Sequence, residues 1–164
     1  KVSIGAVQRV LQNLLQERVS IRDLPTILEG ISEAVSSTHS LMMITEHVRS
    51  RLARQLSNAN ANELGIIPLV TLSPEWEQAF AESIVGEGDD RQLAMAPSAL
   101  QAFISKVRTT LEDLALKGET GVLLTSPNIR PFVRSIIERF RPMTVVMSQN
   151  EIYPKAKIKT VGQI

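Results

Sequence analysis

The 164 residues carry 18 Lys and Arg against 17 Asp and Glu, a formal net charge of +1, with 43% hydrophobic residues and no cysteine. That suffices for one ordinary domain or two small ones with a real core, supplies no basic excess for nucleic acid or an anionic membrane, and excludes disulfides, thiolate metal sites and cysteine nucleophiles. No apolar run reaches the roughly 18 residues of a membrane-spanning helix and no signal-like leader is present; because the chain begins Lys1-Val2-Ser3, it is expected to be a piece of something longer.

Ile4, Val7, Leu11 and Leu14, widened by Val10 and Leu15, predict a helix from about Ser3 to Glu17. A short polar turn, Arg18 to Asp23, leads to a second stripe of Leu24, Ile27, Leu28, Ile31 and Val35. Its start has two readings: Ser20 with Asp23 as a capping box, which leaves Pro25 awkwardly placed, or Asp23 as the cap, which puts Pro25 in the first turn. A third helix is expected over Leu41, Ile44, Val48, Leu52 and Leu56. Three helices with short links read as a bundle with the second helix at its centre.

The asparagine-rich run Ser57 to Asn62 marks a boundary, giving a helical subdomain over 1–62 and an α/β subdomain over 63–164. Ile66 to Leu72 follows as a strand, placed at a sheet edge because Pro68 has no N–H to donate. Ser73-Pro74 opens a short helix with Trp76, Phe80 and Ile84, and Gly86 to Asp90 is a loop. Ser98 with Gln101 reads as a capping box before a long helix through Phe103, Val107, Leu111 and Leu114 to Gly118. Val122 to Leu124, the stripe Ile129 to Phe140 and Thr144 to Met147 form a β-α-β unit. A half-exposed strand from Ala156 to Val161 ends the series. The expected fold is α+β: a helical bundle, then a small mixed sheet packed by helices in the order β-α-α-β-α-β-β.

No motif for chemistry emerges. His39 and His47 are the only imidazoles; eight residues on one helix is roughly 12 Å of rise, too far to share a metal directly, and surface or capping roles are expected. Phosphate-loop, Gly-x-Ser-x-Gly and zinc-protease patterns are absent. The carboxylates of Gly86 to Asp90 lack calcium-loop spacing, and Ser126 before Pro127 reads as a cap rather than a nucleophile. Trp76 and Phe80 read as core. No catalytic residue, metal or cofactor is therefore expected.

Charge is nonetheless segregated. Six acidic side chains and no basic one lie between Glu75 and Asp90, whereas from Arg130 onward seven basic residues meet only Glu138 and Glu151. Solvated helix faces explain this, as does head-to-tail contact between copies through complementary patches. Arg18, Arg22 and Asp23 are the candidate interaction residues: they serve a partner or a neighbouring subdomain, or form an internal pair that pins the turn.

Several segments together resemble one family: Val10-Leu11-Gln12-Asn13-Leu14-Leu15, Val19-Ser20-Ile21-Arg22-Asp23-Leu24, Thr26-Ile27-Leu28-Glu29, Thr45-Glu46-His47-Val48-Arg49 and Leu52-Ala53-Arg54-Gln55. Leu72-Ser73-Pro74-Glu75-Trp76-Glu77, Val122 to Pro127, Ser148-Gln149-Asn150-Glu151-Ile152 and Gly162-Gln163-Ile164 keep the same order. They look like the cytoplasmic region of the FlhA export-gate family of bacterial flagellar type III secretion, shared with its injectisome relatives, and correspond to its last two subdomains. The resemblance implies a non-catalytic platform at the cytoplasmic face of the inner membrane. It further implies a nonameric homo-oligomeric ring that receives export chaperone–substrate complexes and other export-apparatus proteins, with membrane contact only through an N-terminal region outside this sequence. Family members place the chaperone cleft chiefly in subdomains that precede this stretch. Without the resemblance, the alternative is a small regulatory α/β domain that binds a ligand or modifies a peptide.

Overall fold

The computed structural model describes residues 2–164. Helix α1 (Ile4–Gln16) starts where the Ser3 hydroxyl accepts from the Ala6 amide. It closes through a left-handed residue, Arg18 at φ +58°, with the amides of Arg18 and Val19 bonded back to the carbonyls of Leu15 and Leu14. This closure satisfies the last carbonyls of a helix and usually places glycine where Arg18 stands. Asp23 caps α2 (Leu24–Ala34) by accepting from the Thr26 amide at 3.3 Å, so Pro25 falls in the first turn, where its missing N–H costs nothing.

The expected third helix is two helices, α3 (Leu41–Arg51) and α4 (Ala53–Ala59), broken at Leu52. The middle of the bundle is α3, which packs against both α1 and α2; the sequence pattern had pointed to α2. At Gly30 a Cβ would stand 3.2 Å from Val48 Cγ2 and 3.3 Å from its Cα, so only glycine lets α2 lie this close to α3 unshifted. Because α2 packs chiefly on α3, it buries only the face Ile27, Gly30, Ile31 and Ala34. Leu24 and Leu28, read as part of the inward stripe, are 44% and 46% exposed, and Ile4 of α1 is 88% exposed.

Beyond the bundle come β1 (Ile66–Thr71), α5 (Pro74–Ser83), the two-residue strands β2 (Ile84–Val85) and β3 (Gln92–Leu93), α6 (Pro97–Leu116), β4 (Val122–Thr125), α7 (Arg130–Ile137), β5 (Val146–Ser148) and β6 (Lys157–Gln163). The expected α+β order is present, with an added antiparallel hairpin β2–β3 enclosing the Gly86–Asp90 loop. The main sheet runs β5-β4-β1-β6 with all pairs parallel. So β1 is central, and the edge placement inferred from Pro68 is corrected. Pro68 pairs in register with Lys159 of β6, while β4 joins only from Leu69 onward, so Pro68 has a strand on one side only. The residue with no N–H sits where β1 overhangs its neighbour.

α6 begins at Pro97 after Ala96 with no side-chain cap, so Ser98 and Gln101 do not form the expected box. Nor does Ser126 cap α7: its hydroxyl bonds Asn128 Oδ1 at 2.8 Å, and Ile129 stands at the N-cap with no side-chain hydrogen bond.

Both faces of the sheet are covered. Val70, Leu72, Leu123 and Val146 pack with α5, α6 and α7 around Phe80 and Phe103, with Trp76 and Phe80 meeting Phe103 edge-on at 5.1 and 4.8 Å. Ile67, Leu69, Val122 and Met147 of the opposite face join the helical core of Val10, Leu14, Ile27, Ile31 and Val48. The helices before Asn62 thus share a core with the sheet that follows it. Outermost, β6 is largely exposed, and its Ile158 is 53% exposed.

Candidate functional site

Where the bundle meets the sheet, three arginines and three glutamates are packed together. Arg49 comes from α3, and Arg130 and Arg134 from α7, along the edge of its buried stripe of Val133 and Ile137. Glu17 is the C-cap of α1, Glu46 lies one turn before Arg49, and Glu151 ends a 3-10 turn, Gln149–Glu151, that follows β5. Arg49, Arg130 and Glu151 are each only 1% exposed.

Arg130 is the hub. Its Nε and Nη2 donate to the two oxygens of Glu46 at 2.7 and 2.9 Å. Its Nη1 and Nη2 donate to those of Glu17 at 2.9 and 2.8 Å, and Nη1 also reaches the Val146 carbonyl at 2.9 Å. Arg49 makes the parallel fork onto Glu151, Nε at 2.9 and Nη2 at 3.0 Å. Such forked, charge-assisted pairs are the strongest a guanidinium makes. Glu151 also accepts the Ser148 amide at 3.1 Å, its carbonyl accepts from Ser57 Oγ of α4, and that hydroxyl accepts the Tyr153 amide. Arg134 donates Nη1 to the carbonyls of Thr144 and Pro142.

Two buried nitrogens, Arg49 Nη1 and Arg134 Nε, have no hydrogen bond, and both face Glu17 Oε1, at 3.6 and 3.7 Å. Glu17 is therefore the carboxylate on which all three arginines converge. Burial would raise its pKa, but the hydrogen bonds and charge of Arg130, with the charges of Arg49 and Arg134, lower it to about 2. For Arg130 burial acts to lower the pKa, yet Glu46 and Glu17 raise it well above the ordinary arginine value. Three cations and three anions balance. Chemically this is a joint: its forked ion pairs link the bundle to α7 or to the segment after β5.

The turn beside the joint carries the three residues singled out from the sequence, and they do not form one cluster. Arg18 donates Nη2 to the Pro142 carbonyl at 3.2 Å, Asp23 serves as the α2 cap, and the Arg22 guanidinium makes no ion pair or hydrogen bond among the described residues. His39 is exposed, while His47 meets Glu33 at 2.8 Å on the surface, where Arg51 also pairs with Glu33. Among the described residues no His, Asp and Glu group is arranged to hold a metal, and no helix is long and apolar enough to cross a membrane.

Nothing in the sequence groups the six members of the joint. Arg130 and Arg134 fall there in a basic stretch, whereas in the fold both are buried and neutralised by carboxylates from a distant stretch of chain. One signal was present. Ser148-Gln149-Asn150-Glu151 is a capping box, which folds the glutamate back onto its own backbone.

The FHIPEP family profile matches residues 1–157. Flagellar biosynthesis protein FlhA of Caulobacter vibrioides is 62% identical over 163 residues, 99% of this chain and 23% of that protein. The chain thus spans about a quarter of the length of this relative. Among solved structures, the Chlamydia pneumoniae CdsV and CdsO protein complex aligns with a TM-score of 0.89 at 31% identity, over 99% of this chain and 48% of that one. The nonameric EscV cytosolic domain of a type III secretion system aligns with a TM-score of 0.77 at 28% identity, over 94% and 46%.

Proposed function

The chain belongs to the FHIPEP family, and from that we infer that it forms the C-terminal cytoplasmic part of a bacterial flagellar type III export gate. The full protein is integral to the inner membrane, and this portion lies at its cytoplasmic face. It works without catalysis, as part of a homo-oligomeric ring that takes up chaperone-delivered export substrates and contacts other export-apparatus proteins. Its two units, residues 1–62 and 63–164, act as one rigid piece because the ionic joint and the shared core tie them. Arg18, Arg22 and Asp23 mark the surface offered to the next copy or to the subdomain before this one, with Arg22 the side chain free to engage.

The observation that carries this reading is the 62% identity to a flagellar relative along 99% of the chain, against 28% to the EscV cytosolic domain of a type III secretion system. The ring is supported by the nonameric state of the EscV cytosolic domain, and apparatus contacts by the CdsV and CdsO complex. The test is replacement of the matching segment of FlhA in Caulobacter by this chain, followed by swimming and by flagellin in the culture medium. Restored export supports the reading. A stable, membrane-inserted chimera that exports nothing rejects it.

A further inference from the structure

Away from the joint, a groove of about 320 Å³ lies between α3, β3, α6 and α7. Leu93, Leu100, Phe132 and Ile136 form its floor, and Arg91 and Arg139 stand on its rim. Phe132 and Ile136 are buried, and the Arg91 guanidinium lies 5.4 Å over the Phe132 ring. Among the described residues neither Arg91 nor Arg139 is in an ion pair, unlike Arg134, which faces Glu17 and Glu138. The hairpin that carries Arg91 and Leu93 is fixed by Gly86: at φ +90°, its Cβ would stand 2.5 Å from the Asp90 carbonyl oxygen, and no other residue fits. Its acidic tip, Glu87, Asp89 and Asp90, is exposed and makes no salt bridge to either arginine.

We propose that this groove docks an amphipathic helix of a partner protein, apolar along one stripe and acidic beside it. An apolar floor of limited length accepts side chains spaced by one helical turn, the pattern by which helices are held in grooves. Two unpaired guanidiniums at the rim attract carboxylates flanking that stripe and repel a basic helix, which sets specificity as well as encounter rate. No buried polar group converges on the groove, so a free small anion has no cradle there. The inference is independent of the export reading, since it uses only the groove.

The probe is a fluorescein-labelled synthetic helix of about four turns with leucines at i, i+3 and i+7 and flanking glutamates, compared by anisotropy with the same peptide carrying lysines. The glutamate peptide is expected to bind at least about tenfold more tightly, a preference worth about 1.4 kcal/mol. R91E combined with R139E should remove or invert that preference, and Leu93→Asp should weaken both peptides. If the double variant loses thermal stability, Arg139→Glu alone gives the same comparison, because Arg139 is exposed. Equal binding of the two peptides, no response to the charge reversals, or arginine-dependent binding to phosphatidylglycerol vesicles in place of the peptide overturns the proposal.

Discussion

Arg130 grips both carboxylate oxygens of Glu17 across 113 residues of chain, at 2.9 and 2.8 Å. It thereby fastens the last turn of α1 to the first turn of α7. Removing one partner of a buried pair strands the other charge, which costs about 3–5 kcal/mol, whereas the intact pair adds much less over an apolar replacement. Arg130→Ala strands Glu17 and Glu46 together and should lower unfolding free energy by that amount in urea titration. Arg130→Met combined with Glu17→Gln should cost less than the sum of the single changes. Additive losses would show that the two side chains are not coupled.

Glu17 also makes stability depend on acid. Its folded pKa of about 2 lies below the unfolded value near 4.5. A depressed carboxylate contributes stability that is fully present above the unfolded pKa and is lost as pH falls through the folded one. The window is therefore pH 4.5 down to 2, and the amount is on the order of 3 kcal/mol at roughly 1.4 kcal/mol per unit. Denaturant midpoints of the natural chain should fall across that window, and Glu17→Gln should flatten the fall. An unchanged slope in Glu17→Gln would assign the acid sensitivity to other carboxylates.

On α2, Ile31 is fully buried and Leu28 is 46% exposed. Truncating a buried branched side chain costs about 2–5 kcal/mol, because the cavity left behind collapses only in part. Ile31→Ala should fall in that range and Leu28→Ala below about 1 kcal/mol, since exposed positions respond weakly. Equal losses in the two variants would mean that α2 is rotated relative to the helix described.

What could be read in advance depended on whether the deciding contact was local. The helix from about Ser3, the Asp23 cap as one of two readings of its turn, the strand at Val122 to Leu124 and the aromatic core of Trp76 and Phe80 rest on spacings of a few residues, and they were legible. The break at Leu52 was not, because Leu41 to Leu56 keeps one helical period through it. Central placement of β1 was hidden by Pro68, since nothing in the sequence says how far β4 overlaps it. The joint was illegible for a plainer reason. An arginine at the edge of an apolar stripe looks solvated until its carboxylate arrives from another stretch of chain, and Glu17 and Glu46 precede Arg130 by 113 and 84 residues.

The turn after α1 yields the last prediction, in which its three charged residues separate by role. Asp23 caps α2, and loss of such a cap costs about 0.5–2 kcal/mol, so Asp23→Ala should lower the thermal midpoint of the isolated chain. Arg18 already spends its guanidinium on the Pro142 carbonyl, and its left-handed backbone suits glycine, so Arg18→Gly should change stability little as the two effects oppose. Arg22 is exposed and has no partner among the described residues, so Arg22→Ala should leave stability within about 0.5 kcal/mol. If this turn is offered to a neighbouring copy, Arg22→Glu in the full-length protein should weaken ring assembly and export while the isolated chain melts as before. Sedimentation of the detergent-solubilised gate, beside circular dichroism of the isolated chain, reads both. Normal assembly of the Arg22→Glu protein would leave the turn a scaffold element held by Asp23 and Arg18, and would remove it from the interaction surface.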